Sequence, residues 1–386
     1  MIGQTIYFDN AATTFPKPEA VYYAMDYANR NFAVNAGRGS YELARKATKL
    51  IDETRKKLRY LCSCEHADIV FSSSATAAIN QILRGIQWFS GDVVYVSPYE
   101  HNAVMRTLHS LHKEKGIIIE QIAIDSLSLE VDLEKTEYLF TQRKPRMVCC
   151  THVSNVTGYI LPINDIAKIA KKYNALTFID GAQALGLVPY VLNEDLIDFY
   201  VFAGHKTLYG PFGLAGFYYN KLIDLKDSFT GGTGSNSLDL DMPLELPAKY
   251  EAASPNIVAM AGFNAAIEIL IDNVPELYSL EKELTSFLIN ELQTIPGIVL
   301  YLPMNLENHI GIISFNIPGY RSDDIGVILD QDFNIAARCG YHCAPLIHKH
   351  LCDQEYSGTV RVSIGRFTSK DSIVYLLNAL KELIST

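Results

Sequence analysis

Leu43, Ala47, Leu50, Ile51, Thr54, Leu58 and Leu61 recur every three or four positions. That spacing places them on one face of a 3.6-residue period and predicts an amphipathic helix. The chain then switches repeatedly between two periodicities. Short runs rich in β-branched and aromatic residues fall at 68–72, 93–97, 117–124, 147–153, 176–179 and 199–202. Helical patterns lie between most of them, notably at 75–89, 101–115 and 163–173. Repeated strand–helix alternation predicts a mostly parallel central sheet with helices on both faces. Past about Pro255 the rhythm changes. Helical stretches at 257–271 and 276–293 lead into a strand-like run at 311–316 and a closing helix at 370–384. The expected division is a large α/β domain over 15–255 and a smaller α+β domain built from 1–14 and 256–386. Internal repeats and low-complexity tracts are absent from the sequence.

Composition narrows the class. The 386 residues are 48% hydrophobic and 20% charged, enough for two ordinary globular cores. A net charge of −10 without a basic run argues against nucleic acid or an anionic membrane as partner. The opening residues show neither a basic n-region nor an apolar h-region. Apolar stretches such as 116–119 and 214–219 fall far short of the ~20 residues a membrane span requires, so a soluble, cytoplasmic protein is expected. Seven cysteines, an odd number without a regular framework, read as reduced thiols. Neither Cys62-x-Cys64 nor Cys149–Cys150 has zinc spacing, and the second pair reads as buried strand residues. His348 and His350, with Cys339 and Cys352, lack a closed C-x-x-C pair, and no metal is expected there.

In sheets of this kind ligands bind beyond the carboxyl ends of the strands. Residues of useful chemistry collect there: Ser73-Ser74-Ala75-Thr76 after 68–72, Glu100-His101 after 93–97, and Ser154-Asn155 after 147–153. Asp180-Gly181-Ala182-Gln183 follows 176–179, and Ala203-Gly204-His205-Lys206 follows 199–202. The small-residue turn at 73–76 opens a helix and offers free backbone N–H groups to a phosphate, although an ordinary N-cap has the same composition. It lacks the G-x-G-x-x-G pattern that a dinucleotide would need. Lys206 stands among Gly204, Gly210, Pro211 and Gly213 rather than on a charged helix face. A desolvated lysine amine is a Schiff-base nucleophile. Asp180 could pair with a pyridinium nitrogen. At ~3 Å and an effective dielectric of ~20 such a pair is worth about 5 kcal/mol, roughly four pKa units.

At these positions the sequence resembles the class V aminotransferase superfamily and, within it, the cysteine desulfurase branch. The matching pieces are Phe8-Asp9-Asn10-Ala11-Ala12-Thr13-Thr14, Thr76-x-x-Ile79-Asn80, Glu100-His101, His152-Val153-Ser154-Asn155, Asp180-Gly181-Ala182-Gln183, Gly204-His205-Lys206, His342-Cys343-Ala344 and Arg361-Val362-Ser363. The resemblance implies a pyridoxal 5'-phosphate (PLP) enzyme of the aspartate aminotransferase-like transferase fold. It implies that Lys206 holds the cofactor covalently and moves protons. Asp180 would meet the ring nitrogen, Gln183 the ring hydroxyl, and His101 the pyridine face, with an acid/base role. Ala75, Thr76, His205 and, from a partner subunit, this chain's Thr233 in Gly231-Gly232-Thr233-Gly234 would hold the phosphate. Asn155 would contact the substrate–cofactor adduct. Arg361, with Arg338, would clamp the substrate carboxylate. Cys343 would take the substrate's sulfur as a persulfide.

The implied reaction turns L-cysteine into L-alanine in a homodimer with shared active sites. The short stretch between Cys343 and Arg361 resembles desulfurases that hand sulfur to a dedicated acceptor protein. The related alternatives are selenocysteine lyase, a carbon–sulfur β-lyase and a class V aminotransferase. Four departures bear on subfamily: Ala203 where relatives often have a hydroxyl, Ala77 for a common Glu, Ser74 for a common Gly, and Gly37 where some desulfurases have His. Arg338 and His342 are the neighbours expected to favour the Cys343 thiolate.

Overall fold

The computed structural model describes residues 5–37, 39–64, 67–234 and 238–385. In chain order the strands are β1 (Ile6–Tyr7), β2 (Asp68–Ser72), β3 (Val93–Val96), β4 (Ile118–Gln121), β5 (Met147–Thr151), β6 (Leu176–Asp180), β7 (Phe199–Ala203), β8 (Ala215–Tyr219), β9 (Val299–Tyr301), β10 (Ile312–Asn316), β11 (Ile335–Ala336), β12 (Arg338–Gly340) and β13 (Thr359–Ser363). The α-helices are α1 (Glu19–Asn31), α2 (Glu42–Leu61), α3 (Ala75–Gly85), α4 (Asn102–Lys115), α5 (Leu133–Gln142), α6 (Ile163–Lys172), α7 (Ile257–Leu270), α8 (Val274–Gln293), α9 (Ser322–Phe333), α10 (His348–Leu351) and α11 (Lys370–Ser385).

Seven strands form one sheet in the order β2-β8-β7-β6-β5-β3-β4. All its neighbours pair in parallel except β8, which runs against both β7 and β2. The inner strands β3, β5, β7 and β8 are buried on both faces and are apolar on both sides. Val94, Cys149, Phe178 and Val201 point into a core shared with α3 and α4. Tyr95, Cys150, Ile179 and Phe202 point the other way, into a core shared with α2, α6 and α7. Cys149 and Cys150 are fully buried, one on each face, and burial pushes both thiols well above their ordinary pKa. β8 falls in the apolar 214–219 stretch that periodicity alone does not mark as a strand.

A second, antiparallel sheet, β12-β13-β10-β9, packs its apolar side against α8, α9 and α11. The chain's beginning joins it there. β1 pairs with β11, and Phe8 is buried in the same core. α7 packs along α1 and α2, and its Met260, Phe263 and Ile267 join the large domain's core. We therefore propose that the division falls after α7 rather than at 255/256. No single helix among the described residues is long and apolar enough to cross a membrane. α7 and α8 together would pass by length and composition, but they bend by 80° and α7 is largely buried.

Candidate active site

β5, β6 and β7 end side by side, and their registers bring the loops at those ends together. Thr151 pairs with Asp180, and Asp180 with Val201. Asp180 is the last residue of its strand and is buried. One of its oxygens accepts the Ala182 N–H at 3.0 Å. Burial raises its pKa, against the opposing pull of Lys206 and of that hydrogen bond.

Lys206 comes three residues after β7 in a turn closed by Gly210 N–H to Gly204 O at 2.7 Å. The turn demands glycines. A Cβ at Gly204 would lie 2.6 Å from the Leu214 carbonyl, and one at Gly210 would lie 2.5 Å from the Phe263 ring. The amine is pushed down to about 8, first by burial and then by Arg361 and Arg338, while Asp180 and Cys343 pull it up. Asp180, Arg338, Cys343 and Arg361, up to 181 residues apart in the chain, thus all lie within electrostatic reach of one amine. It makes no hydrogen bond among the described residues.

His101 is the N-cap of α4 rather than its first residue, and Nδ1 accepts the Ala103 N–H at 3.0 Å. The ring proton therefore sits on Nε2. Burial, then Lys206 and three arginines, push its pKa down to about 4, so the ring is neutral at pH 7. Glu100 beside it had no expected role, though the Glu100-His101 pair marked the place. It is fully buried, and its Oε1 accepts from Ser97 Oγ and Thr151 N, both at 2.6 Å. Burial pushes its pKa up to about 8, with Asp180 adding to the shift. A second negative charge under Asp180 is thereby avoided at neutral pH. Gln183 is buried, and its Nε2 donates to Ala11 O at 2.7 Å.

Ser74 caps α3, its side chain accepting the Ala77 N–H at 3.1 Å. The Ala75 and Thr76 N–H groups stand in the helix's first turn, where no intrahelical acceptor exists. His205 is half-buried, and its ring stacks on Phe212 at 4.5 Å. Burial, then Lys206 and Lys17, hold it near 4. Its Nδ1 is buried without a partner among the described residues. Four donors converge on its carbonyl: Thr13 Oγ1, Thr14 N, Thr14 Oγ1 and Lys17 Nζ, at 2.8 to 3.2 Å. Ala203 is a buried strand end. Thr233 lies half-exposed between β8 and α7, in a loop where Gly232 O accepts the Ala253 N–H.

Arg361, in the middle of β13, is fully buried. Nη2 pairs with Asp9 Oδ1 at 2.5 Å and Nη1 donates to Asn155 O at 2.9 Å. The Asp9 partnership was not foreseen: the pair is separated by 352 positions. Asn155 Nδ2 in turn donates to the His342 carbonyl at 2.6 Å, tying the arginine to the Cys343 loop. In that loop Gly340, His342 and Cys343 take φ values of +96°, +46° and +59°. For the two non-glycines this left-handed backbone costs roughly 1–2 kcal/mol each. Cys343 is half-buried, with Sγ 3.4 Å from Arg338 Nη2 and its carbonyl accepting the Asn102 N–H at 2.6 Å. The expected help from His342 is absent. Its Nε2 faces Thr359, and burial depresses its pKa well below the ordinary value, leaving a neutral ring. The cationic neighbour touching the sulfur is Arg338. Cys339 packs against α9 at Gly326, and burial pushes its thiol up to about 12.

Among the described residues the donor set fits PLP: a desolvated amine without a hydrogen-bond partner, a buried carboxylate with one oxygen uncommitted, and an open helix N-terminus. Among the described residues, no group of three or more His, Cys, Asp or Glu side chains is gathered as a metal ion would require.

The family profile "Aminotransferase class-V" matches residues 6–376. A "Probable cysteine desulfurase" of Pyrococcus abyssi is 30% identical over 99% of this chain and 95% of its own length. One from Methanothermobacter thermautotrophicus is 31% identical over 99% and 96%. Among solved structures, the apo cysteine desulfurase from Thermococcus onnurineus NA1 superposes with a TM-score of 0.91 at 30% identity, covering 99% of this chain and 95% of that one. With a match over nearly its whole length and a shared fold, the chain belongs to the class V aminotransferase family, in its cysteine desulfurase branch.

Proposed function

We propose that this protein is a PLP-dependent cysteine desulfurase that converts L-cysteine to L-alanine and keeps the sulfur on Cys343 as a persulfide. One observation carries the reading. A cysteine on a fixed, strained loop shares a site with a desolvated lysine and two arginines. Lys206 would hold the cofactor, Asp180 its ring nitrogen, Gln183 its hydroxyl, and Ala75, Thr76 and His205 its phosphate. When bound, PLP supplies an electron sink that weakens the bonds around the substrate's α-carbon.

The chain's own groups divide the remaining work. Arg361 and Arg338 bind and orient the amino acid's carboxylate, and Asn155 fixes the guanidinium that receives it. Lys206, with a pKa near 8, accepts or returns a proton near neutral pH. His101, neutral and with its hydrogen on Nε2, would contact the cofactor's pyridine face. The Cys343 thiolate attacks the substrate's sulfur, the carbon–sulfur bond breaks, and a proton replaces sulfur on the carbon. Cysteine and one thiol thereby give alanine and one persulfide.

Two further parts of the reading concern partners. A second copy of the chain would bring its own Thr233 to the phosphate, making a homodimer with shared sites. The firmly held Cys343 loop suits transfer to a docked acceptor protein rather than a swinging delivery. A cytoplasmic setting accords with seven free thiols. The test is to incubate PLP-loaded protein with cysteine and a reductant and to measure sulfide and alanine. Equal amounts of both support the reading; pyruvate and ammonia in place of alanine would replace it with a β-lyase.

A further inference from the structure

The loop that presents Cys343 is held at three consecutive carbonyls. Two of the holds come from the large domain: Asn155 Nδ2 on His342 O and Asn102 N on Cys343 O, both at 2.6 Å. The third comes from α10. His348 Nε2 lies 3.0 Å from Tyr341 O, and its Nδ1 lies 2.5 Å from Asp353 Oδ2. A carbonyl only accepts, so Nε2 carries a hydrogen. The carboxylate at Nδ1 fixes which way the ring faces.

This pair sits where apolar packing would serve stability better. Asp353 is fully buried, and His348 is 3% exposed. Buried polar pairs seldom outperform hydrophobic residues of the same volume, so the retention of this one suggests an orienting role. The neighbourhood is built around it: Gln354 Nε2 donates to His348 O at 3.1 Å, and the Tyr341 ring meets the His348 ring edge-on at 5.0 Å. The left-handed backbone at His342 and Cys343 is disfavoured on its own and persists only where its surroundings over-determine it.

We propose that His348, oriented by Asp353, is a positioning residue that locks the Cys343 loop through the Tyr341 carbonyl and so sets the aim of the sulfur-accepting thiol. The relation to catalysis rests on the Cys343 reading above; the loop-locking itself does not.

Two variants separate aim from bulk. In His348→Asn the side-chain amide still reaches Asp353 but falls short of Tyr341. In His348→Gln the amide nitrogen takes the place of Nε2 and can donate to that carbonyl. Hydrogen–deuterium exchange of the PLP-loaded protein without cysteine should show amides within 340–344 exchanging about tenfold faster in His348→Asn, the cost of one lost buried hydrogen bond. His348→Gln should restore protection. Peptides from β5, β6 and β10 should match wild type in both. With cysteine, His348→Asn should lower kcat about tenfold and leave KM within about twofold, because the carboxylate clamp is untouched. Unchanged exchange in His348→Asn overturns the proposal. So does equal loss in both variants, or faster exchange throughout β10 and β13, which would mean that His348 only supports the fold. Should wild type prove inactive on cysteine, the exchange result still decides the locking claim by itself.

Discussion

Arg361 is where substrate binding and fold stability meet, and replacing it should separate them. The guanidinium is buried, spends one N–H on Asp9 and one on Asn155 O, and its buried Nε has no partner among the described residues. A bidentate pair with a substrate carboxylate contributes about 1.5–3 kcal/mol, so its loss should lower kcat/KM roughly 10- to 200-fold. Arg361→Ala does more than that, because it strands the Asp9 carboxylate. Breaking one side of a buried pair costs about 3–5 kcal/mol of stability. Asp9 is 23% exposed in its side chain, which favours the lower end. Arg361→Lys keeps a charge for Asp9 and loses the planar fork. The assay is steady-state kinetics with cysteine beside urea denaturation, on wild type, Arg361→Lys, Arg361→Ala and Arg361→Ala combined with Asp9→Ala. Arg361→Lys should be more stable than Arg361→Ala yet show a KM at least tenfold higher than wild type. The double variant should recover stability over Arg361→Ala without recovering turnover. A wild-type KM in Arg361→Lys, or activity regained in the double variant, would show that Arg361 serves only its internal pair.

Borohydride reduction of the PLP-loaded protein should place the pyridoxyl group on Lys206, and a label on any other lysine sinks that assignment. PLP capture by the apoprotein needs a neutral amine. Its rate should therefore rise with pH up to about 8 and level off above, whereas an unperturbed lysine would keep climbing past 10. Persulfide trapped with an alkylating tag after exposure to cysteine should vanish in Cys343→Ser and persist in Cys339→Ser; wild-type sulfide release by Cys343→Ser would end the nucleophile role. Glu100 has a folded pKa of about 8, above its ordinary 4.5, so its contribution is present at low pH and lost as pH rises to about 8. The stability of Glu100→Gln relative to wild type should accordingly grow between pH 5 and 8, by up to about 4 kcal/mol, then stay level; parallel curves would show that the carboxyl ionises freely in the fold.

What the sequence displayed was local. Asp180 ends a strand and His101 and Lys206 follow theirs, each with an apolar run visible in the chain, so the edge at which they gather followed from alternation alone. Asp9 and Arg361 show the opposite case. A buried cation needs a counter-charge, but nothing in the spacing says which of 43 acidic residues supplies it. His342 stands next to Cys343 in the sequence, which suggested help to the thiol. The left-handed backbone at both residues turns its ring toward Thr359 instead. His348 stands out in the sequence only as a zinc ligand that spacing rejects, since its carbonyl partner exists only after the loop has folded. β8 escaped notice because a buried strand and any other apolar run of six residues look alike without periodicity.

The opening residues reach their place late. β1 finds its partner at Ile335 and Ala336, and Asp9 bridges to Ser363 near the other end of the chain. On a ribosome adding 5 to 20 residues per second, the first strand waits roughly 15 to 65 s for the segment it pairs with. Every strand of the large sheet has been made by Tyr219. The half that carries Lys206 and Asp180 can therefore settle before Cys343 and Arg361 exist, and the thiol joins the lysine only when the two ends of the polypeptide close on each other.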